Sequence, residues 1–198
     1  TGVRGRPEIA WAFKTGGAIK SSPVVVDGVA YFGSWDANVY AVDVGTGREV
    51  WKFQTGGKVS GSAAVVEGTV YIAGEDGKLY ALDADDGREK WTALLKQGCA
   101  GSPAVLYGVV FIGQGNARYG NAEVISMSAR SIVGYEAKTG RKVWENRAGP
   151  QGLSAICADA TCLYAGISGS PLGAWDIASG RRLWHLGAGG QRRQMMGV

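Results

Sequence analysis

Tryptophans stand at Trp11, Trp51, Trp91, Trp144 and Trp184. The first three are evenly spaced, and the last two repeat the same interval after one longer gap. The same stretch precedes the last four. It reads Ala41-Val42-Asp43-Val44-Gly45-Thr46-Gly47-Arg48-Glu49-Val50-Trp51, and it returns at Ala81 to Trp91, Gly134 to Trp144 and Ala174 to Trp184. Self-similarity at a period of roughly 40 residues restricts the chain to a repeat architecture, in which each unit buries its apolar face against the next.

The second unit defines the element that repeats. Val59 to Val66 is apolar with small residues, and Glu67-Gly68 is a turn. Thr69 to Gly74 is β-branched and aromatic, and Glu75-Asp76-Gly77 is a second turn. Lys78 to Asp83 alternates polar and apolar. Asp85-Asp86-Gly87 is a third turn, and Arg88 to Thr92 is a last strand. Four short strands joined by Asp-Gly-type turns form an antiparallel meander. No stretch carries a helical period. The first strand of each unit is apolar, as for a strand covered on both faces. The last carries charges, as for a solvated outer edge. The pattern predicts an all-β propeller of four-stranded blades. We expect one domain over residues 1–198, with complete blades at about 18–53, 58–93, 98–146 and 151–186. Glycine contributes 33 of 198 residues, as a chain built from turns requires.

The repeated stretch has a mechanical reading. Asp43 and Asp176 can accept hydrogen bonds from backbone N–H groups just ahead. Gly47, Gly87, Gly140 and Gly180 can supply the positive φ of a tight turn. The following Trp can then lie against the neighbouring blade, burying roughly 150–250 Å². Trp11, Trp51, Trp91, Trp144 and Trp184 are therefore expected to be structural. This Ala-x-Asp-x-x-Thr-Gly-Lys/Arg-x-x-Trp pattern resembles the tryptophan-docking motif of quinoprotein-type propeller repeats. Ala41 to Trp51 matches at every fixed position. The later copies depart from it with Asp86 and Ser179 for Thr, Gly134 for Ala and Glu136 for Asp. The resemblance covers nearly the whole chain and implies the fold more firmly than an activity.

Both ends look incomplete. Glu8 to Phe13, of which Ile9 to Phe13 aligns with Glu49 to Phe53, is expected to be an outer strand without its three partners. Met195 to Val198 aligns with Ser62 to Val65 and is expected to begin another inner strand. With Thr1 rather than Met at its start, the chain reads as an arc, part of a longer protein or one of two copies in a larger ring. Open blade faces would otherwise be exposed.

The third unit is longer, because a segment is inserted between Gly113 and Ile132. Insertions in repeat proteins map to loops on one face, often the binding face. This one carries Asn116, Arg118, Tyr119, Asn121 and Glu123, which are candidate partner-binding residues. A merely decorative or protomer-contacting loop is the alternative. Trp35 lies off the tryptophan register, at a turn, and is a further candidate contact expected to be exposed. In quinoprotein alcohol dehydrogenases the blade this one resembles ends its Gly-rich loop in a Glu that helps hold calcium and the quinone. Ala100-Gly101-Ser102-Pro103 and Gly113 to Gly120 look similar in plan, but Arg118 stands where that acid is expected. A cation there would repel Ca²⁺, which wants oxygen ligands including carboxylates. The family's adjacent Cys-Cys pair has no counterpart.

Other chemistry is sparse. The net charge of +4 is spread along the repeats, with Arg181-Arg182 and Arg192-Arg193 as short pairs, and reads as solvated edges rather than a nucleic-acid surface. One histidine, His185, expected to be exposed on an outer strand, all but removes histidine triads and histidine-rich metal sites. Asp36, Asn38 and Asp76 at turns are read as turn formers rather than ligands. Cys99 reads as a packed thiol. Cys157 and Cys162 lie diagonally across one hairpin, which leaves a disulfide and two small packed residues both open. No apolar run is long enough to span a membrane.

Two functional classes follow. The first is a non-catalytic scaffold or protein-binding assembly module, resembling the partner-binding periplasmic propellers of this repeat family. It needs no cofactor, and the resemblance implies a periplasmic or extracellular location, a protein partner or self-association. The second is part of a quinone-dependent dehydrogenase, with pyrroloquinoline quinone (PQQ) and Ca²⁺ held at a degenerate site or completed outside this chain. Asn116 and Arg118 would be its nearest cofactor contacts. Arg118, the missing Cys pair and the lack of a catalytic base favour the first.

Overall fold

In the computed structural model the described residues are 8–95, 99, 101–114, 131–147, 153–167, 170–186 and 192–194. They form four antiparallel sheets and no helix. The first holds β1 (Val24–Val26), β2 (Val29–Gly33), β3 (Asn38–Asp43) and β4 (Glu49–Gln54). The second holds β5 (Ala64–Val66), β6 (Thr69–Gly74), β7 (Lys78–Asp83) and β8 (Glu89–Leu94). The third holds β9 (Ala104–Leu106), β10 (Val109–Gln114), β11 (Ser131–Glu136) and β12 (Lys142–Arg147). The fourth holds β13 (Leu153–Ala158), β14 (Cys162–Ile167), β15 (Ser170–Asp176) and β16 (Arg182–Leu186), with β17 (Arg192–Gln194) added at its outer edge. Each sheet is a meander in chain order. The first strands β1, β5, β9 and β13 follow one another, so the sheets stand side by side as propeller blades.

The turns form for local reasons. Asp43 Oδ1 accepts from the Thr46 N–H and hydroxyl, both at 2.7 Å. Asp176 Oδ1 does the same with Ser179, at 2.8 and 2.5 Å. This carboxylate-closed loop leaves the next glycine at positive φ, 71° at Gly47 and 68° at Gly180, and Gly87 holds the same conformation at 74°. A bulge in each case separates the turn from the regular ladder, between Ala41 and Val42 in the first sheet and Ala81 and Leu82 in the second.

Three clusters fill the seams between sheets. Tyr31, Val39, Trp51, Val70, Ile72 and Leu82 lie between the first and second. Tyr71, Leu79, Val110, Ile112, Val133 and Tyr135 lie between the second and third. Phe111, Ile132, Ile156, Leu163 and Trp175 lie between the third and fourth. The indoles cross these seams. Trp51 Nε1 donates to Ala84 O at 2.8 Å, Trp91 Nε1 to Ala137 O at 2.8 Å and Trp144 Nε1 to Ile177 O at 3.0 Å. Each ring lies against the turn glycine of the following sheet, Gly87, Gly140 and Gly180 in turn.

Several expectations are corrected. Burial is concentrated in the middle strands, not the first. β6 is buried at every residue, whereas β1, β5 and β9 are short and half-buried to exposed. Neighbouring sheets cover blade faces, and a short strand at the sheet edge gains less from them. Glu8 to Phe13 is not a strand. Its side chains nevertheless cover the first sheet. Trp11 Nε1 donates to Val44 O at 2.8 Å, and Phe13 packs edge-on against Phe32 and Tyr40. At the other end, Arg192–Gln194 pairs antiparallel with β16. Met195 to Val198 lies outside the described residues. His185 is half-buried rather than exposed, with its Nδ1 shielded from solvent.

Candidate interaction face

A meander places its second-to-third turn and its exit to the next sheet at the same end. The β2–β3 and β6–β7 turns and the facing ends of β10 and β11 therefore share one face with the loops that precede β1 and β5. The tight β1–β2 and β3–β4 turns, with their counterparts, occupy the opposite face.

Two carboxylates organise the first face. Asp36 Oδ2 accepts from the Gly16 N–H at 2.7 Å and the Tyr40 hydroxyl at 2.8 Å, while Oδ1 accepts from the Asn38 N–H at 3.1 Å. Asp76 repeats this with the Gly56 N–H at 2.9 Å, the Tyr80 hydroxyl and the Lys78 N–H at 3.2 Å. Each acid thus ties a turn to the loop feeding its own sheet. Nearer the axis, the Ser22 N–H donates to Ser62 Oγ at 2.8 Å and the Ser62 N–H to Ser102 Oγ at 2.9 Å. The inter-sheet loops are therefore linked to each other as well as to the blades.

Burial opposes ionisation of Asp36, but hydrogen bonds from Tyr40, Asn38 and Gly16 outweigh it and hold its carboxyl below the usual range. Burial and then the bond to Asp36 push Tyr40 up to about 12. Hydrogen bonds from Thr46, Thr139 and Ser179 likewise lower Asp43, Glu136 and Asp176. A carboxyl with a lowered native pKa stabilises the fold above its unfolded-chain value, about 3.9 for Asp, and that stability is lost as pH falls through the native value. The melting temperature is therefore expected to hold near neutrality and to fall below about pH 4. Asp36→Asn should lower it at neutral pH and shrink the acid drop. An unchanged acid limb in that variant, followed by calorimetry, would refute the assignment.

Trp35 sits on the β2–β3 turn but is half-buried, not open. Its Nε1 donates to Ser60 Oγ at 2.8 Å, and the Ser60 hydroxyl donates to Glu75 Oε1 at 2.6 Å. The Lys58 and Lys20 ammoniums lie over its ring, 4.5 and 5.5 Å from the centroid. Nothing in the repeat pattern pointed to Lys20, Lys58, Ser60 or Glu75, because the loops before β1 and β5 and the β6–β7 turn bring them together. Asn116, Arg118, Tyr119, Asn121 and Glu123 lie outside the described residues. The ends of their connection, Gln114 and Ser131, are paired across β10 and β11 and are buried. Gln114 and Ser131 therefore stand at the face that carries Trp35.

Among the described residues, no three His, Cys, Asp or Glu side chains gather as a metal site. Asp36 and Asp76 are engaged by their own loops, so the donors described on this face do not fit a calcium–quinone centre. Cys99 is buried against Gly113 O, at 3.1 Å from Sγ, and burial pushes its thiol up to about 11. Cys157 and Cys162 are free thiols. A cavity of about 390 Å³ opens between the first two sheets on the opposite face, lined by Val26, Tyr31 and Val65 with Asp27, Glu67 and Asp85. Among the described residues, no helix is long and apolar enough to cross a membrane.

The family profile described as outer membrane protein assembly factor BamB matches residues 35–197. BamB from Moraxella catarrhalis superposes with a TM-score of 0.70 at 20% identity, over 90% of this chain and 56% of that one. Quinohemoprotein alcohol dehydrogenase from Comamonas testosteroni superposes with a TM-score of 0.70 at 23% identity, over 85% of this chain and 35% of that one. The computationally designed Ika4 protein gives a TM-score of 0.70 at 14% identity, over 83% of this chain and 94% of that one. At these identities the likenesses carry the fold. The chain spans about half of the BamB structure and about a third of the dehydrogenase. No curated protein sequence matches it.

Proposed function

The chain belongs to the PQQ-like propeller repeat family whose profile is described as outer membrane protein assembly factor BamB, and from that premise we propose that it is a non-catalytic, protein-binding assembly module. The profile match over residues 35–197 is the observation that carries this reading. The loop face supports it. The carboxylates there staple loops, while Trp35 and the strand ends Gln114 and Ser131, which flank the segment bearing Asn116, Arg118, Tyr119, Asn121 and Glu123, stand at one side of the sheets. On this reading the partner is a protein held on that face, or a second copy of the chain, and the compartment is periplasmic or extracellular. No quinone is required.

A photo-crosslinking residue placed at Tyr119 tests the proposal against one placed at Arg88, on the opposite face. A discrete protein adduct is expected at Tyr119 and none at Arg88. The alternative is a dehydrogenase segment holding PQQ and Ca²⁺. Alcohol-dependent reduction of an acceptor dye by this chain, appearing only when both are added, would overturn the module in its favour. Equal adducts at the two positions would also overturn it, because the loop face would then have no special role.

A further inference from the structure

We infer that the cluster of Lys20, Trp35 and Lys58 is a docking point for a carboxylate-bearing segment of a partner protein. The inference rests on the assembly-module reading and specifies the partner's chemistry.

The cluster is preorganised. The Trp35 N–H donates to Ala18 O at 2.9 Å, the Val59 N–H to Ser34 O at 3.0 Å and the Glu75 N–H to Lys58 O at 2.8 Å. The backbone on both sides of the indole is therefore fixed by neighbouring loops. The indole is held in turn by Ser60 and, through it, Glu75. Two ammoniums thus lie within 5.5 Å of one ring centre. The ring quadrupole attracts each of them, but they repel each other. Among the described residues neither lysine forms an ion pair. Both are exposed, and the acids on these turns are engaged by their own neighbours, Glu75 accepting from Ser60 and Asp36 from Gly16 and Tyr40. A carboxylate from outside would be shared by both ammoniums and would relieve their repulsion.

The fold does not demand this arrangement. One repeat later the Trp35 position is Glu75 and the Lys20 position is Ser60, yet the second sheet closes in the same register. Other ligands fit less well. A stacking sugar or base would have to displace a cation from the ring. A phosphodiester chain would run across Asp36, Glu75 and Asp76, which stand on the same turns. A short acidic peptide can meet the two lysines and stop.

The test uses fluorescence anisotropy of a labelled polyglutamate peptide with the whole chain at low salt. Salt-sensitive binding is expected. Lys20→Gln/Lys58→Gln should weaken it roughly tenfold or more, as loss of charge-assisted contacts requires. Lys20→Arg/Lys58→Arg should retain it. Arg88→Gln/Lys138→Gln, which removes equal charge from the opposite face, should leave it unchanged. Equal losses in the two Gln pairs would overturn the proposal, as would binding that survives without Lys20 and Lys58. Tighter binding of a labelled oligothymidylate through the same lysines would overturn it in favour of nucleic acid. If only the docking point is wrong, adducts at Tyr119 persist. Cofactor-dependent dye reduction would sink the module reading whatever the peptide does.

Discussion

Trp51→Ala is expected to lower the unfolding free energy by about 3–5 kcal/mol, the range for truncating a buried large aromatic. Trp51 is 7% exposed in the seam between the first two sheets. Its ring lies 5.9 Å from that of Tyr31, centroid to centroid, and covers Gly87 on the next sheet. Truncation leaves a cavity that rigid sheets cannot collapse into. The hydrogen bond adds less, because Ala84 O also accepts from the Tyr31 hydroxyl at 3.2 Å and would not be orphaned. Trp11→Ala is the internal control. Trp11 makes the same type of bond to Val44 O, but it is 37% exposed and belongs to no strand. Its loss should cost about 1 kcal/mol. Urea midpoints measured at constant m separate the two. Equal shifts would mean that the seam indole contributes no more than a surface one.

The contrast marks what was legible in the chain. Asp43, Thr46 and Gly47 announce a turn because their chemistry acts over a short span, and the recurrence of that turn once in every unit reveals the sheets. The all-β propeller class follows from local rules repeated. The location of burial did not follow. An apolar run such as Val59 to Val66 reads as a core strand, yet only Ala64 to Val66 pairs, as β5. Its hydrophobicity serves a loop as well, where Val59 packs closely against Gly33. The strand expected at Glu8 to Phe13 failed for a related reason. Trp11 and Phe13 keep their contacts to the first sheet without a ladder, because side-chain packing there does not depend on backbone pairing. The setting of Trp35 was the least legible. Its neighbours Lys20 and Lys58 are distant from it along the chain, in opposite directions, and they meet it only because the loops that precede β1 and β5 come to the same turn.

The second large effect is expected at Gly87, where conformation and packing act together. Its φ of 74° disfavours any side chain, and an added Cβ would lie 2.7 Å from Trp51 Cδ2 and Cε3. Gly68 offers the comparison, with a φ of 66° and nothing within 4 Å of an added Cβ. Gly68→Ala should therefore cost only the left-handed conformation, about 1–2 kcal/mol. Gly87→Ala should add the displacement of a packed indole and cost about 2–5 kcal/mol in all. The packing part requires the indole. In a Trp51→Ala background, Gly87→Ala should fall back to about 1–2 kcal/mol, the Gly68 value. A Gly87→Ala cost that stays the same with and without Trp51 would show that the turn, and not the seam, sets the requirement for glycine. The repeated Gly–Trp spacing would then record two independent local needs. A cost that drops when the indole is gone ties them together, and explains why a turn on one sheet and an indole on another recur at the same period.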